Sequence, residues 1–240
     1  MARKRATPVT GPTIADVLTQ FLADQRGRLA ARTFAHYAPV IELLRHSLNN
    51  YAWQTLDKPN AELFDRLYKA QGAEHREFCE IFGPAYILPS VGEFLDYFMI
   101  RKVMAGKEML RAAGTVTKNL AAWLAEKGYV TVEAAGRAAE RGGRAARELP
   151  KAHELASLLS EFAEDQERGD GDGEIDDHFT LTRVEPGKLW VAGMSGREIG
   201  PIDVPEEISR RCTVGWTVSG RVGRFGKTWR LVEAWNVYPR

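Results

Sequence analysis

The hydrophobic period of this chain changes once, at a run in which glycine alternates with acid, Gly169-Asp170-Gly171-Asp172-Gly173-Glu174. Before the run, apolar residues recur at i, i+3, i+4 and i+7; after it they alternate. The first period lines one face of a helix and the second one face of a strand, so no single-class fold accommodates both halves. The expectation is an α+β multidomain chain. A basic arm (1–12) leads into an all-α helical bundle (13–163). An acidic Gly/Asp linker (164–177) then joins it to a small five-stranded β-barrel of OB or SH3-like type (178–240).

Within the first part, Thr13 opens a helix with Asp16 in the capping-box position and Ile14, Val17, Leu18, Phe21 and Leu22 as its apolar stripe. A second helix is expected from about Ala31 to Asn49, kinked or started late at Pro39. A third runs from Asn60 to Phe82, closed by Gly83-Pro84, and an apolar one from Val91 to Met104, stopped by Gly106. Lys107 to Ala113 reads as a short piece, Gly114 as punctuation, and Thr115 to Lys127 as a helix ended by Gly128. Residues 131–149 are rich in Ala, Gly and Arg, and Pro150 starts a last helix. Beyond the linker come three short strands within 179–204, a helical turn at 205–211, and strands at 213–219 and 227–238 joined around Gly220, Gly223 and Gly226.

A formal net charge of +1 over 240 residues names no partner, but its distribution is uneven: 161–177 hold nine carboxylates against one arginine, between two mildly basic stretches. Cys79 and Cys212 stand far apart with no CxxC or Cys/His spacing, which argues against zinc and a disulfide framework and fits a reducing cytoplasm. No apolar run is long enough for a membrane span, and none follows the basic start as in a signal peptide. P-loop, GxSxG, HExxH and dinucleotide fingerprints are lacking. The glycines at 220, 223 and 226 precede no helix, and the acid–glycine run lacks the twelfth-position Glu of a calcium loop. The expectation is a cytoplasmic protein without cofactor, metal or enzymatic activity.

Two helix signatures point instead to nucleic acid. One is Arg32-Thr33-Phe34-Ala35-His36-Tyr37; the other runs from Gly114 through Thr115, Val116, Thr117, Lys118 and Asn119 to Leu124. A helix entering the major groove offers its N-terminal turns to base edges and phosphates. That placement is expected for Thr115, Thr117, Lys118 and Asn119, with Asn able to read adenine through two hydrogen bonds. Arg28, Arg32, Thr33, Lys107 and Arg111 are expected on phosphates. A winged-helix reading of 107–130 puts the same residues on nucleic acid, although 131–149 is poor material for a β wing. Arg137, Arg141 and Arg144 form a cationic stripe interleaved with Glu133, Glu140 and Glu148. In the barrel, the cations Arg221, Arg224, Lys227 and Arg230 that bracket the Gly-rich hairpin are candidate contacts, while Trp190, Trp216, Trp229 and Trp235 are either core or base-stacking surfaces.

Residues 13–130 resemble the N-terminal core-binding (SAM-like) domain of tyrosine recombinases, the phage integrases. The resemblance lies in the opening pattern Thr13 to Leu22, in Thr33 and Tyr37 of the second helix, and in Thr115-Val116 through Leu120, Trp123, Leu124 and Gly128 of the last. It implies helices that form half of a clamp around duplex DNA. The family's catalytic half needs a His-x-x-Arg pair and a tyrosine nucleophile. Three residues beyond the five histidines stand Pro39, Asn49, Phe78, Ala156 and Leu181, none of them arginine, and Tyr238 falls on an expected strand. The expected function is therefore non-catalytic DNA binding by a recombinase-like accessory factor in DNA recombination. Duplex would lie on the helices, with single-stranded nucleic acid or a protein at the barrel. The alternative is a protein-interaction adaptor whose barrel holds a peptide or partner protein.

Overall fold

A computed structural model describes residues 11–166 and 173–239. The expected basic arm lies almost wholly outside these residues, as does the centre of the acidic run. The chain divides into two compact units, one comprising Met1–Met99 with Met109–Ala146 and the other Ile100–Glu108 with Arg147–Arg240.

The first unit is helical. Helix α1 (Ile14–Arg28) opens on the expected capping box: the Thr13 hydroxyl accepts from the Asp16 amide at 3.2 Å, and the Asp16 carboxylate accepts from the Thr13 amide at 2.9 Å. The second expected helix is two, α2 (Ala31–Phe34) and α3 (Tyr37–Tyr51), with Pro39 in the first turn of α3, where its missing N–H would have no partner anyway. The third is also split, into α4 (Lys58–Tyr68) and α5 (Phe78–Ile81); Gly72 between them adopts a φ of 60° that ends any continuous helix. A π-helical turn, Glu93–Phe98, buries Phe94, Leu95 and Phe98 and runs into α6 (Met99–Arg101).

Two expected boundaries are absent. Helix α7 (Lys107–Glu126) passes uninterrupted through Gly114, and α8 (Val132–Glu164), 33 residues long, passes through Pro150. Gly114 is a packing residue rather than a stop. A Cβ there would lie 2.2 Å from the Ala146 amide nitrogen, and one on Gly142 would lie 2.8 Å from the Gly114 carbonyl oxygen. The missing side chains let the backbones of α7 and α8 touch. The ordinary cost of glycine in a helix, about 1 kcal/mol, is set against that close packing.

Among the described residues the second unit holds five strands: β1 (Gly173–Glu185), β2 (Lys188–Ala192), β3 (Glu198–Asp203), β4 (Thr217–Phe225) and β5 (Thr228–Tyr238), with α9 (Glu206–Arg211) between β3 and β4. The α+β order and the helical turn before the fourth strand are as expected. The strand order is β1-β2-β3-β5-β4, and β4 pairs back onto β1, so the sheet closes on itself. The closure between β3 and β5 is parallel and rests on the pair Ile202–Trp229.

Strand β1 begins inside the expected linker. Residues 173–177 pair with 220–224, so Asp176 lies opposite Arg221 instead of in a flexible joint. Gly220 and Gly223 lie within β4 and not at its turn; a Cβ on Gly220 would meet the Glu233 carbonyl oxygen at 2.3 Å, beside the bulge that shifts the β4–β5 register. The core of this unit includes Phe179, Leu181, Trp216, Val218, Val222 and Leu231. Ala152, Leu155, Leu159 and Ala163 from the second half of α8 pack into it. Among the described residues no helix is long and apolar enough to cross a membrane.

Candidate nucleic-acid interface

In the helical unit the two signatures meet. The Asn119 amide donates to the Tyr37 hydroxyl at 2.7 Å, Phe34 stacks on Tyr37 with ring centres 6.2 Å apart, and the Arg26 guanidinium lies 5.8 Å over Phe34. The meeting uses up groups expected on DNA. Because α7 starts at Lys107, Thr115 to Asn119 lie in mid-helix, where the backbone N–H groups are already bonded. The Thr115 hydroxyl donates to the Arg111 carbonyl at 3.0 Å rather than capping a helix. Thr117 is 1% exposed and its hydroxyl is without a partner among the described residues, so it lies inside and not on a groove-facing surface. Asn119 is committed to Tyr37. Thr33 is exposed within α2, whose N-cap position is Ala30.

The expected phosphate contacts divide similarly. Arg28 pairs with Glu126 at 3.1 Å and Lys107 with Glu154 at 3.0 Å. The Arg28 hydrogen bond holds the Glu126 carboxyl below its ordinary range and raises the guanidinium in turn. Arg32, Arg111 and Lys118 are exposed, and no ion pair engages them among the described residues. Arg111, Thr115 and Lys118 follow one another at i, i+4 and i+7 along the solvent face of α7. On α8, the stripe is interrupted: Arg141 is bound to Asp96 at 2.6 Å, its guanidinium lying against Gly92, while Arg137 is exposed.

In the closed sheet, Arg221 faces Asp176 at 2.6 Å, Glu233 at 3.4 Å and Glu174 at 3.6 Å. The Asp176 hydrogen bond, then the surrounding carboxylates, raise its pKa, and its charge is absorbed locally. The β4–β5 turn is different. Arg224 donates through Nε to the Gly226 carbonyl at 3.1 Å, Lys227 is exposed, and the Arg230 guanidinium lies 4.9 Å over the Phe225 ring. Gly226, with a φ of 61°, makes this tip possible. Arg230, expected from the sequence as one of the cations bracketing the hairpin, lies opposite Gly223 in the β4–β5 register, which places it on Phe225's face.

The tryptophans have separate fates. Trp216 is core, Trp229 packs partly against it, and Trp235 stands 48% exposed at a β5 bulge. Trp190 lies beneath Arg183 on the outer face of β2. Burial pushes both thiols, Cys79 and Cys212, up to about 12, which leaves them protonated and unreactive near neutrality. Among the described residues, no group of three His, Cys, Asp or Glu side chains is arranged to hold a metal ion.

No family model matches the chain, and no curated protein or solved structure is significantly similar to it. The recombinase resemblance thus stands on its helix pattern alone.

Proposed function

We propose that this is a non-catalytic DNA-binding protein whose principal contact is the tip of the β4–β5 hairpin. The observation that carries the reading is the concentration there of Arg224, Lys227 and Arg230 around Phe225, with Lys227 and Arg230 free of carboxylates among the described residues. Cations gathered around a half-buried aromatic ring suit a phosphate backbone with accessible bases. The strand order β1-β2-β3-β5-β4, with a helix between the third and fourth strands, supports an OB-type over an SH3-like barrel. OB barrels take nucleic acid on the face of strands 2 and 3, bordered by the β1–β2 and β4–β5 loops. The exposed face of α7 with Arg111, Thr115 and Lys118 is the proposed duplex contact of the helical unit. The accessory place in recombination follows from the resemblance of 13–130.

The test is fluorescence anisotropy of the whole chain with labelled duplex, single-stranded DNA and RNA over a range of salt. Binding is expected to fall steeply with salt. Changing Arg224, Lys227 and Arg230 together to alanine should lower the slope of log affinity against log salt by about one for each phosphate no longer neutralised. Absence of salt-dependent binding to any of the three overturns the proposal; tighter binding of RNA than of either DNA overturns DNA as the partner.

An adaptor role has one observation in its favour, which lies in the helical unit and not on the closed sheet where the peptide was expected. In the helical unit a cleft of about 300 Å³ lies between Leu88, Pro89 and Val91 on one side and Ala134 and Ala138 on the other, with Arg137 and Arg141 at its edge. An apolar floor with a cationic edge suits an acidic peptide bearing a large apolar side chain. Binding of such a peptide by the wild type, abolished by Ala138→Trp, is its test.

A further inference from the structure

We infer that the outer face of β1, β2 and β3 carries a stacking platform for an unpaired nucleobase, formed by Arg183 lying on Trp190. The inference rests on the proposed nucleic-acid partnership and adds to it a single-strand subsite apart from the hairpin tip.

Trp190 is only 7% exposed, yet its neighbours Leu189 and Val191 belong to the inner core and it does not. Alternation along β2 turns the indole outward, so something on the outside must bury it. Beneath it is Gly200, where a Cβ would come within 2.7 Å of the indole Cδ1; only a glycine lets the ring lie this close to β3. Above it is the Arg183 guanidinium, 3.5 Å from the ring centre, a van der Waals stacking distance. Arg183 sits directly opposite Trp190 in the β1–β2 register, next to a bulge at Thr182 whose hydroxyl donates to Glu198 of β3 at 2.7 Å. The arginine side chain remains 52% exposed, so the guanidinium has one face on the indole and the other toward solvent.

A planar, weakly hydrated cation held this way is already ordered, and an aromatic ring can be added to its open face with little further loss of freedom. Nucleobases stack on arginine planes in this manner. Continuity with the hairpin tip favours a nucleic-acid strand as the occupant. Ile202 of β3 lies opposite both Leu189, adjacent to Trp190, and Trp229, adjacent to the tip. One strand of nucleic acid can therefore lay phosphates on the tip and a base on the platform. The charge on this face is balanced: Glu185 stands 3.7 Å from Arg183, and Lys188 is opposite Asp203. The platform should consequently contribute stacking, which salt hardly affects, whereas the tip contributes the salt-sensitive part.

Titration of the whole chain with oligothymidylate and with duplex, for wild type, Arg183→Lys and Arg183→Ala, tests this, with thermal unfolding of each variant confirming the fold. Arg183→Lys keeps the charge and removes the plane. Both variants should bind the single strand roughly 5- to 150-fold more weakly, the range for removal of one base stack, with duplex affinity unchanged and, for Arg183→Lys, an unchanged salt slope. Wild-type affinity of Arg183→Lys for the single strand overturns the platform and leaves the hairpin contact standing. Equal losses on duplex and single strand also overturn it, because they reduce Arg183 to a phosphate contact. Displacement of the oligonucleotide by a tryptophan-containing peptide, but not by a mononucleotide, overturns the base as occupant. Failure of the wild type to bind any nucleic acid removes the partnership itself.

Discussion

At the scale of single residues, the same chemistry that made Thr33 and Thr115 legible as helix starts also concealed their positions. A threonine before an apolar stripe reads as a cap, but in mid-helix its hydroxyl can bond back to the carbonyl four residues earlier, as Thr115 does to Arg111. Thr117 lacks even that bond while buried. Thr117→Val keeps the shape and deletes the orphan hydroxyl, so it should leave stability unchanged or raise it by about 1 kcal/mol, read from urea unfolding, without altering nucleic-acid affinity. The glycines of the helical unit separate in the same way. Gly114→Ala forces a methyl group into the Ala146 backbone and should cost at least the upper end of the roughly 1–3 kcal/mol typical of overpacking. Gly136→Ala, in α8 with nothing within 4 Å, should instead stabilise by about 0.5–1 kcal/mol. Nothing in the local sequence distinguishes these glycines; the neighbour that gives Gly114 its role is Ala146, on a different helix.

At the scale of elements, apolar spacing located the helices well and their ends poorly. Propensity treats Gly114 as a stop and Pro150 as a start, yet α7 and α8 run continuously through them. The capping box at Thr13 was legible because both partners lie within one turn. The fastening of α1 to the end of α7 was not, since its groups are about a hundred residues apart. There the Asp24 carboxylate accepts from Lys127 at 2.9 Å and from the Trp123 indole N–H at 3.0 Å. Those bonds, the Lys127 contact first, hold the Asp24 carboxyl below its ordinary range. The folded chain thus binds fewer protons at this site than the unfolded chain. Its stabilising contribution is complete above the ordinary aspartate pKa of about 3.9 and is lost as pH falls through the lowered folded value. Asp24→Asn should flatten the acid limb of stability against pH; a urea midpoint followed from about pH 6 to pH 2 that keeps its wild-type slope in the variant would show that the contact is not linked to folding.

At the scale of the whole molecule, the change of period revealed helices followed by a sheet, because that information is local. Closure of the sheet and the order of its strands depend on pairings such as Ile202 with Trp229, which no spacing reveals. The acidic run marks the change of period but is not where packing changes hands. The second half of α8 supplies Leu155 and Leu159 to the core of the closed sheet. A fragment of residues 147–240 should therefore unfold cooperatively at a higher temperature than one of residues 173–240, which lacks those side chains; equal transitions by calorimetry would show the helix to be dispensable. Leu155→Ala in the full chain should cost about 2–5 kcal/mol. The candidate site was legible where its groups share a hairpin, as at Arg224 and Lys227, and illegible where a carboxylate from another strand intervenes, as Asp176 does at Arg221.

The unequal exposure of the indoles gives each unit its own optical signature. Trp53 in the helical unit and Trp235 in the sheet unit are about half open to solvent, while Trp123 and Trp216 are sealed. A neutral collisional quencher should silence the first pair and spare the second. Emission shifting to the red would come from Trp123 as the helical unit melts and from Trp190 and Trp216 as the sheet unit melts. With Trp123 the sole tryptophan retained in one variant and Trp216 in another, the opening of the two units can be timed separately without a label.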